Sequence, residues 1–421
     1  MGMTISEKIL AGASGQSSVK AGDIVSVDVD VAMLDDILGP RVEIAEHMTA
    51  LDAQIWDPDK VVVISDHFTP PATSKQAEIV KFTREWSERY GVRNYYEFIG
   101  PCHQIMVEKG HVLPGALVLG TDSHTCMGGA LSAFASGVGS TEMLGILVTG
   151  KTWLKVPETI KIVWKGKLPD GVMAKDMSLA TIKKIRHAGA TYMSVEYVGP
   201  AIDALGMDER FCITNMAVEM GAKAGLMNTD ATVENYLHGQ GLPGPFKRLQ
   251  SDVDASFRET FEFDATELEP LVSCPHEVDN VCAAGEVPKG TRIDQAYLGS
   301  CTGGRYTDLA MAAKLLKGRK VRNGRRLLVS PSSKSIWEQA AQDGVLQTLS
   351  EAGAIILAPT CGVCVAQHSG ILADGETCIS STNRNFLGRM GNKKSFVYLG
   401  SPLTVAASAV TGEITDPREF L

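Results

Sequence analysis

The sequence predicts an α/β protein of three domains, and two features carry that prediction. Wholly apolar, β-branched runs such as Val61-Val62-Val63-Ile64 suit strands buried on both faces, as in parallel sheets covered by helices. Between Arg292 and Leu357, strand-like and helix-like segments alternate strictly as β-α-β-α-β, the pattern of a parallel, doubly wound sheet. A change of texture near residue 157 and an acidic stretch ending near residue 270 divide the chain into 1–157, 158–270 and 271–421.

The elements follow in order. Residues 4–12 read as a helix entered from a threonine cap and left at glycine, and Asp23–Asp30 alternates as a half-buried strand. The strand at 61–64 stops at Ser65-Asp66-His67. The segment 74–90 has apolar residues at three- and four-residue spacing and a following Gly91, a helix with its stop. A strand over 116–120 ends at Thr121-Asp122-Ser123-His124, so a second Asp and His stand at a second strand end. The small, apolar stretch 128–150 predicts a buried helix or helix pair interrupted at Gly137-Val138-Gly139. Residues 158–168 read as a strand, Asn215 and Glu219 fall four apart on one helix face, and 251–270 reads as a solvated surface segment. In the last domain, strands over 292–298, 326–329 and 354–357 alternate with helices over 307–318 and 333–353.

Composition narrows the function. A formal charge of −9 and a pI near 5.6 leave no basic footprint for a phosphate backbone, which argues against nucleic acid as a partner. No window approaches 18 uncharged apolar residues, and Gly2–Lys8 has no basic region followed by an apolar run, so a soluble cytoplasmic protein is expected. Nine cysteines, an odd number in a large chain, point to free thiols rather than a disulfide framework.

Three of those cysteines stand apart. Cys301 ends one predicted strand and Cys361-Gly362-Val363-Cys364 follows another, which brings three thiols to the carboxyl-end edge of one sheet, where ligands of such sheets bind. The spacing alone fits a zinc site, with His368 or Cys378 as a fourth ligand, as well as it fits an iron–sulfur cluster. Asp66-His67, His103 and Asp122-Ser123-His124 form a second group, in which a carboxylate beside a histidine prepares the ring to move a proton. Arg384 and Arg389, downstream of the Cys-x-x-Cys, have the planar forks that grip carboxylates in two places.

Five motifs in order complete the reading: Ser65-Asp66-His67, GTDSHT at 120–125, GSCT at 299–302, PTCGVC at 359–364 and STNRNFLGRMG at 381–391. Together they resemble the aconitase superfamily, in particular its branch of two-subunit dehydratases, over nearly the whole chain. The resemblance implies three α/β domains around a central [4Fe–4S] cluster held by Cys301, Cys361 and Cys364. It implies a proton-handling and hydroxyl-binding shell of Asp66, His67, His103, Asp122, His124 and Glu219, with Asn215 and Asn383 beside the cluster. Arg384 and Arg389 fall where the family binds substrate carboxylate, and Ser123 supports them. The implied activity is that of a hydro-lyase on a 2-hydroxy dicarboxylic acid, with isopropylmalate as the expected substrate. Dimethylmalate, homoaconitate and maleate or citraconate are the sister substrates, and a non-catalytic cluster or zinc regulator is the reading from another class. The family's swivelling domain, with its serine base, is expected on a separately encoded small subunit. Two departures from the family pattern stand out: Gly303 replaces an asparagine, and Asp35-Asp36 stands where His-Asp is common.

Overall fold

A computed structural model describes residues 2–421. Its first sheet has five parallel strands in the order Asn94–Glu97, Val61–Ser65, Val31–Asp35, Leu117–Gly120 and Phe134–Gly137. Val61 and Val63 pack with Ala32, Leu34, Leu117 and Leu119 on one face, and Val62 and Ile64 with Met33 and Val118 on the other. Burial on both faces explains the unbroken apolar run. Strand Ile24–Asp28 lies outside this sheet and pairs antiparallel with Lys151–Lys155.

A second, four-stranded sheet is parallel throughout, in the order Ala224–Leu226, Ser194–Val198, Thr159–Lys165 and Glu259–Asp264. The third has seven strands: Val281–Ala283, Leu271–Ser273, Phe396–Gly400, Thr377–Ser380, Gln295–Gly299, Arg326–Ser330 and Ala354–Ile356. The last five run parallel and the first two are added antiparallel. Ala296, Leu298, Leu327 and Val329 face the helices Tyr306–Leu316 and Pro402–Thr411. On the opposite face, Tyr297, Leu328 and Leu399 share one core with Ile160, Ile162 and Tyr197 of the four-stranded sheet.

The helix expected from residue 4 runs over Ile5–Ala13. Thr4 and Glu7 close a reciprocal cap, in which Glu7 N donates to Thr4 Oγ1 (3.2 Å) and Thr4 N to Glu7 Oε2 (2.8 Å), a device worth about 1 kcal/mol. Four expectations need correction. The stretch 128–150 is not a helix pair: a 3₁₀ helix over Ser123–Leu131 is followed by the edge strand Phe134–Gly137 and then the helix Ser140–Thr149. Its small residues mark close backbone approaches, since a Cβ on Gly129 would sit 1.6 Å from Gly225 O. Asn215 ends the helix Met207–Asn215, and Glu219 belongs to the 3₁₀ turn Met216–Met220. Residues 333–353 form two helices, Lys334–Gln342 and Val345–Ala352, parted at Gly344, whose φ of +74° a side chain resists. The solvated segment 251–270 contains the half-exposed edge strand Glu259–Asp264. The central strand Val31–Asp35, hidden behind Asp28-Val29-Asp30, had no sequence signal of its own. Among the described residues no helix is long and apolar enough to cross a membrane.

Candidate active site

The carboxyl ends of the first and third sheets meet. Asp66 O accepts hydrogen bonds from Cys361 N (3.1 Å) and Thr360 Oγ1 (2.8 Å), fixing the Asp-His turn against the Cys-x-x-Cys loop. Cys301 lies in the helical turn Ser300–Gly303, straight after strand Gln295–Gly299, and both it and Cys364 are buried. Ser300 enters that turn at φ +69°, a left-handed conformation costly for a non-glycine residue. Asn215 Nδ2 points at Cys301 Sγ (3.1 Å), Asn383 Nδ2 donates to Asn215 Oδ1 (3.1 Å), and Asn383 Oδ1 lies 3.6 Å from Cys364 Sγ. Arg389 NH2 lies 3.7 Å from Cys364 Sγ, and its buried Nε has no partner. A hydrogen bond from Cys361, with the Arg389 charge behind it, pulls the Cys364 thiol well below its usual range.

The two candidate fourth ligands of a zinc site are committed elsewhere. His368 has Nε2 at 2.9 Å from His67 O and Nδ1 at 2.6 Å from Ser369 Oγ. Cys378 lies in strand Thr377–Ser380 in register with Gln295, the opposite end of that neighbouring strand from Cys301.

Beside the sulfurs runs a chain of charged groups. Asp122 Oδ1 meets His103 Nε2 (2.9 Å) and His124 Nδ1 (3.3 Å); His124 Nε2 reaches Glu219 Oε1 (2.8 Å); and Arg384 Nε donates to both Glu219 oxygens (2.9 and 3.1 Å). Burial opposes the charge on Asp122, but His103 and His124 outweigh it and hold the carboxyl well below its ordinary range. Glu219 is likewise lowered against burial, by His124 and Arg384. For His124, burial and Arg384 disfavour the imidazolium, yet Asp122 and Glu219 raise its pKa. Along the network the carboxylates Asp122 and Glu219 thus alternate with basic side chains.

A second histidine is held in the same way. His67 Nδ1 contacts Asp66 Oδ1 (2.7 Å) and Asp36 Oδ1 (3.0 Å), and these carboxylates overcome burial to place its pKa well above the ordinary value. Among the described residues no protein group shares Nε2. His67, Asp122, Ser123, Arg384 and Arg389 line one cavity of about 620 Å³, with Ile37, Leu38, Val138, Val218 and Val365 forming an apolar wall. All fourteen residues singled out from the sequence thus lie in or beside one site.

A model of the aconitase family (aconitate hydratase) matches residues 32–412. The chain belongs to the aconitase family. It is 47% identical over 424 residues to 3-isopropylmalate dehydratase large subunit 1 of Methanopyrus kandleri, covering all of both chains. It is 45% identical over 421 residues to the corresponding large subunit 1 of Archaeoglobus fulgidus, again over the whole of both. The large subunit from Sulfurihydrogenibium sp. is 44% identical, with all of this chain and 97% of that protein covered. Aconitase X of Thermococcus kodakaraensis shares the fold at a TM-score of 0.52 and 11% identity, over 93% of this chain and 87% of that one. As an aconitase-family member the chain is a hydro-lyase, and the family implies an iron–sulfur cluster.

The departures from the aconitase-family pattern now have physical accounts. A Cβ on Gly303 would lie 2.4 Å from Ser381 Cβ, so asparagine has no room: Ser381 fills that place and bonds Gly299 N (2.9 Å). Asp36 joins Asp66 on His67, while Asp35, raised by burial, caps the turn through Ile37 N and Leu38 N (both 2.7 Å) and accepts from Thr121 Oγ1 (2.6 Å). Both aspartates stand at the end of a buried parallel strand, the signal that found Asp66 and Asp122, and escape notice because strand Val31–Asp35 has no signal of its own. Lys175 was also missed. Its ammonium is buried against Thr382 O and Ser381 O, at the root of the Asn383-Arg384 turn, yet in the sequence it looks like its exposed neighbour Lys183.

Because the Asp36 carboxylate helps keep His67 charged, Asp36→Asn lowers the His67 pKa. The stability that the pair supplies is complete below the ordinary histidine value of about 6.5 and is lost as pH rises through the raised folded value. NMR titration of the His67 ring will show its midpoint moved to lower pH in the variant, and an unmoved midpoint would contradict the coupling.

Proposed function

We propose that this chain is the cluster-bearing large subunit of a 3-isopropylmalate dehydratase, removing water from and adding it to a branched 2-hydroxy dicarboxylic acid. The observation that carries the reading is the meeting, beside one cavity, of Cys301, Cys361 and Cys364 with His67, held by two carboxylates, and Arg389, whose buried Nε has no partner. The names of the 43–47% identical relatives support it. Cys301, Cys361 and Cys364 would hold a [4Fe–4S] cluster, with Asn215 and Asn383 donating toward and bracing the sulfurs. When bound, such a cluster supplies an iron without a protein ligand, a Lewis acid for the substrate hydroxyl.

The chain's own groups do the rest. Hydroxide is a poor leaving group, and His67, charged and with Nε2 unshared, protonates the departing oxygen. Asp66 and Asp36 restore its charge preference afterwards. His103, Asp122 and His124 form the neighbouring proton relay, fixed by the Asp122 bridge. Arg389 grips a substrate carboxylate, and Arg384, pinned by Glu219, backs the same wall with Ser123. Rebinding of the enoate intermediate the other way round places the adjacent carbon for hydration, which turns a dehydratase into an isomerase. The wall of Ile37, Leu38, Val138, Val218 and Val365 matches an apolar branch on the substrate.

The substrate assignment is tested by assaying the chain with its small subunit against 2-isopropylmalate, 2,3-dimethylmalate, homocitrate and citrate. 2-Isopropylmalate should lead in kcat/KM by roughly tenfold or more over the smaller branched diacid, the usual return on an added methylene or two in an apolar pocket. A preference for citrate or homocitrate would overturn the assignment.

A further inference from the structure

Two thiols outside the cavity lie in contact. Cys274 follows strand Leu271–Ser273, Cys282 lies in Val281–Ala283, and their sulfurs are 3.7 Å apart across the hairpin, both partly exposed. The remaining cysteines away from the site, Cys102, Cys126, Cys212 and Cys378, are buried. No third metal-binding group joins the pair among the described residues. The turn of the hairpin is anchored by two segments. Asp279 in the turn is bonded by His187 Nδ1 (3.0 Å) and Arg186 Nε (3.1 Å), and where the first strand enters the turn Asn385 Nδ2 donates to Ser273 Oγ (3.0 Å) and Cys274 O (2.9 Å). Asn385 adjoins Arg384, so the hairpin supports the turn that carries the guanidinium into the cavity.

We propose that Cys274 and Cys282 are an oxidative modification site, closing to a disulfide by exchange with a low-molecular-weight disulfide and stapling the hairpin that anchors Asn385. A bonded pair needs the sulfurs at about 2.05 Å, so closure shortens the present 3.7 Å contact by side-chain rotation and a small adjustment of the turn between the two residues. The Cys282 thiolate attacks the reagent disulfide and expels one reagent thiolate, leaving a mixed disulfide. The Cys274 thiolate then attacks the Cys282 sulfur and expels the second. The two protons lost by the cysteines end on the two reagent thiols, and the reagent takes up the two electrons. Burial and the adjacent Cys282 push the Cys274 thiol up to about 12; capping Cys282 removes the second influence, so Cys274 is the residue that closes the ring.

The test uses the full, cluster-loaded chain, kept anaerobic, equilibrated with excess oxidised glutathione, then alkylated, digested and analysed by mass spectrometry. Expected is one crosslinked peptide joining Cys274 to Cys282, lighter by two hydrogens than the reduced pair and released by dithiothreitol, while the visible absorption of the chain is unchanged. Cys282→Ser should give no crosslink at Cys274 and keep that absorption. Recovery of Cys274 and Cys282 as separately alkylated thiols, or capping by glutathione without ring closure, would overturn the proposal.

Discussion

Loaded with its cluster but without a second polypeptide, this chain will turn over no 2-hydroxy diacid. Dehydration needs a base for the weakly acidic proton beside the carboxylate, and the charged network beside the cavity offers none. Asp122 is shared by two histidines, Glu219 is held by His124 and Arg384, and His67 and His124 have raised pKa values that keep them charged. The other two carboxylates that line the cavity, Asp35 and Glu142, accept backbone N–H groups of their own turns. We propose that the base, a serine, arrives on a separately encoded swivelling subunit closing over the cavity; the relatives' names already call them large subunits. A positioned base contributes about 10²–10⁴-fold, and closure adds water exclusion, so the isolated chain should fall below detection. Titrating in the small subunit should restore activity with saturation at equal molar amounts. Full activity from the rigorously purified single chain would contradict this account and put the base among the residues named here.

Cys301→Ser will fold and yet be colourless and inactive. The residue is buried beside Asn215 in a turn built around Ser300, and an oxygen in place of sulfur changes little packing there. An alcohol, however, is far harder to ionise than a thiol and is a poor ligand for iron. Losing the metal removes several kcal/mol of stabilisation of the departing oxygen, on the order of 10³-fold or more in rate. Circular dichroism should match the parent while iron content and turnover vanish. Parent-like colour and turnover would remove Cys301 from the ligand set.

The parts of this site that the sequence revealed are those where chemistry coincides with a local pattern. Cys301, Asp66-His67 and Asp122-His124 each end an apolar strand, so their placement at a sheet edge followed from strand recognition alone. Their partnership did not: each Asp-His dipeptide suggested its own pair, whereas Asp122 joins His103 to His124 and His67 draws on Asp36 from a neighbouring strand. Such pairing is set by strand order, which no local spacing encodes. Lys175 and Ser381 escaped for the same reason, since their meaning comes from the segment packed against them. The stretch 128–150 shows the converse: small residues that suggest helix packing instead allow backbone to lie against backbone.

The most direct test of the whole account is the metal content of the chain purified and reconstituted without oxygen, read by iron and acid-labile sulfide analysis and by Mössbauer spectroscopy. We expect iron and sulfide in equal amounts, broad visible absorption, and one iron site distinct from the others, whose spectrum shifts when a 2-hydroxy diacid is added. Stoichiometric zinc without sulfide, or a cluster whose irons are all alike and indifferent to the diacid, would contradict it.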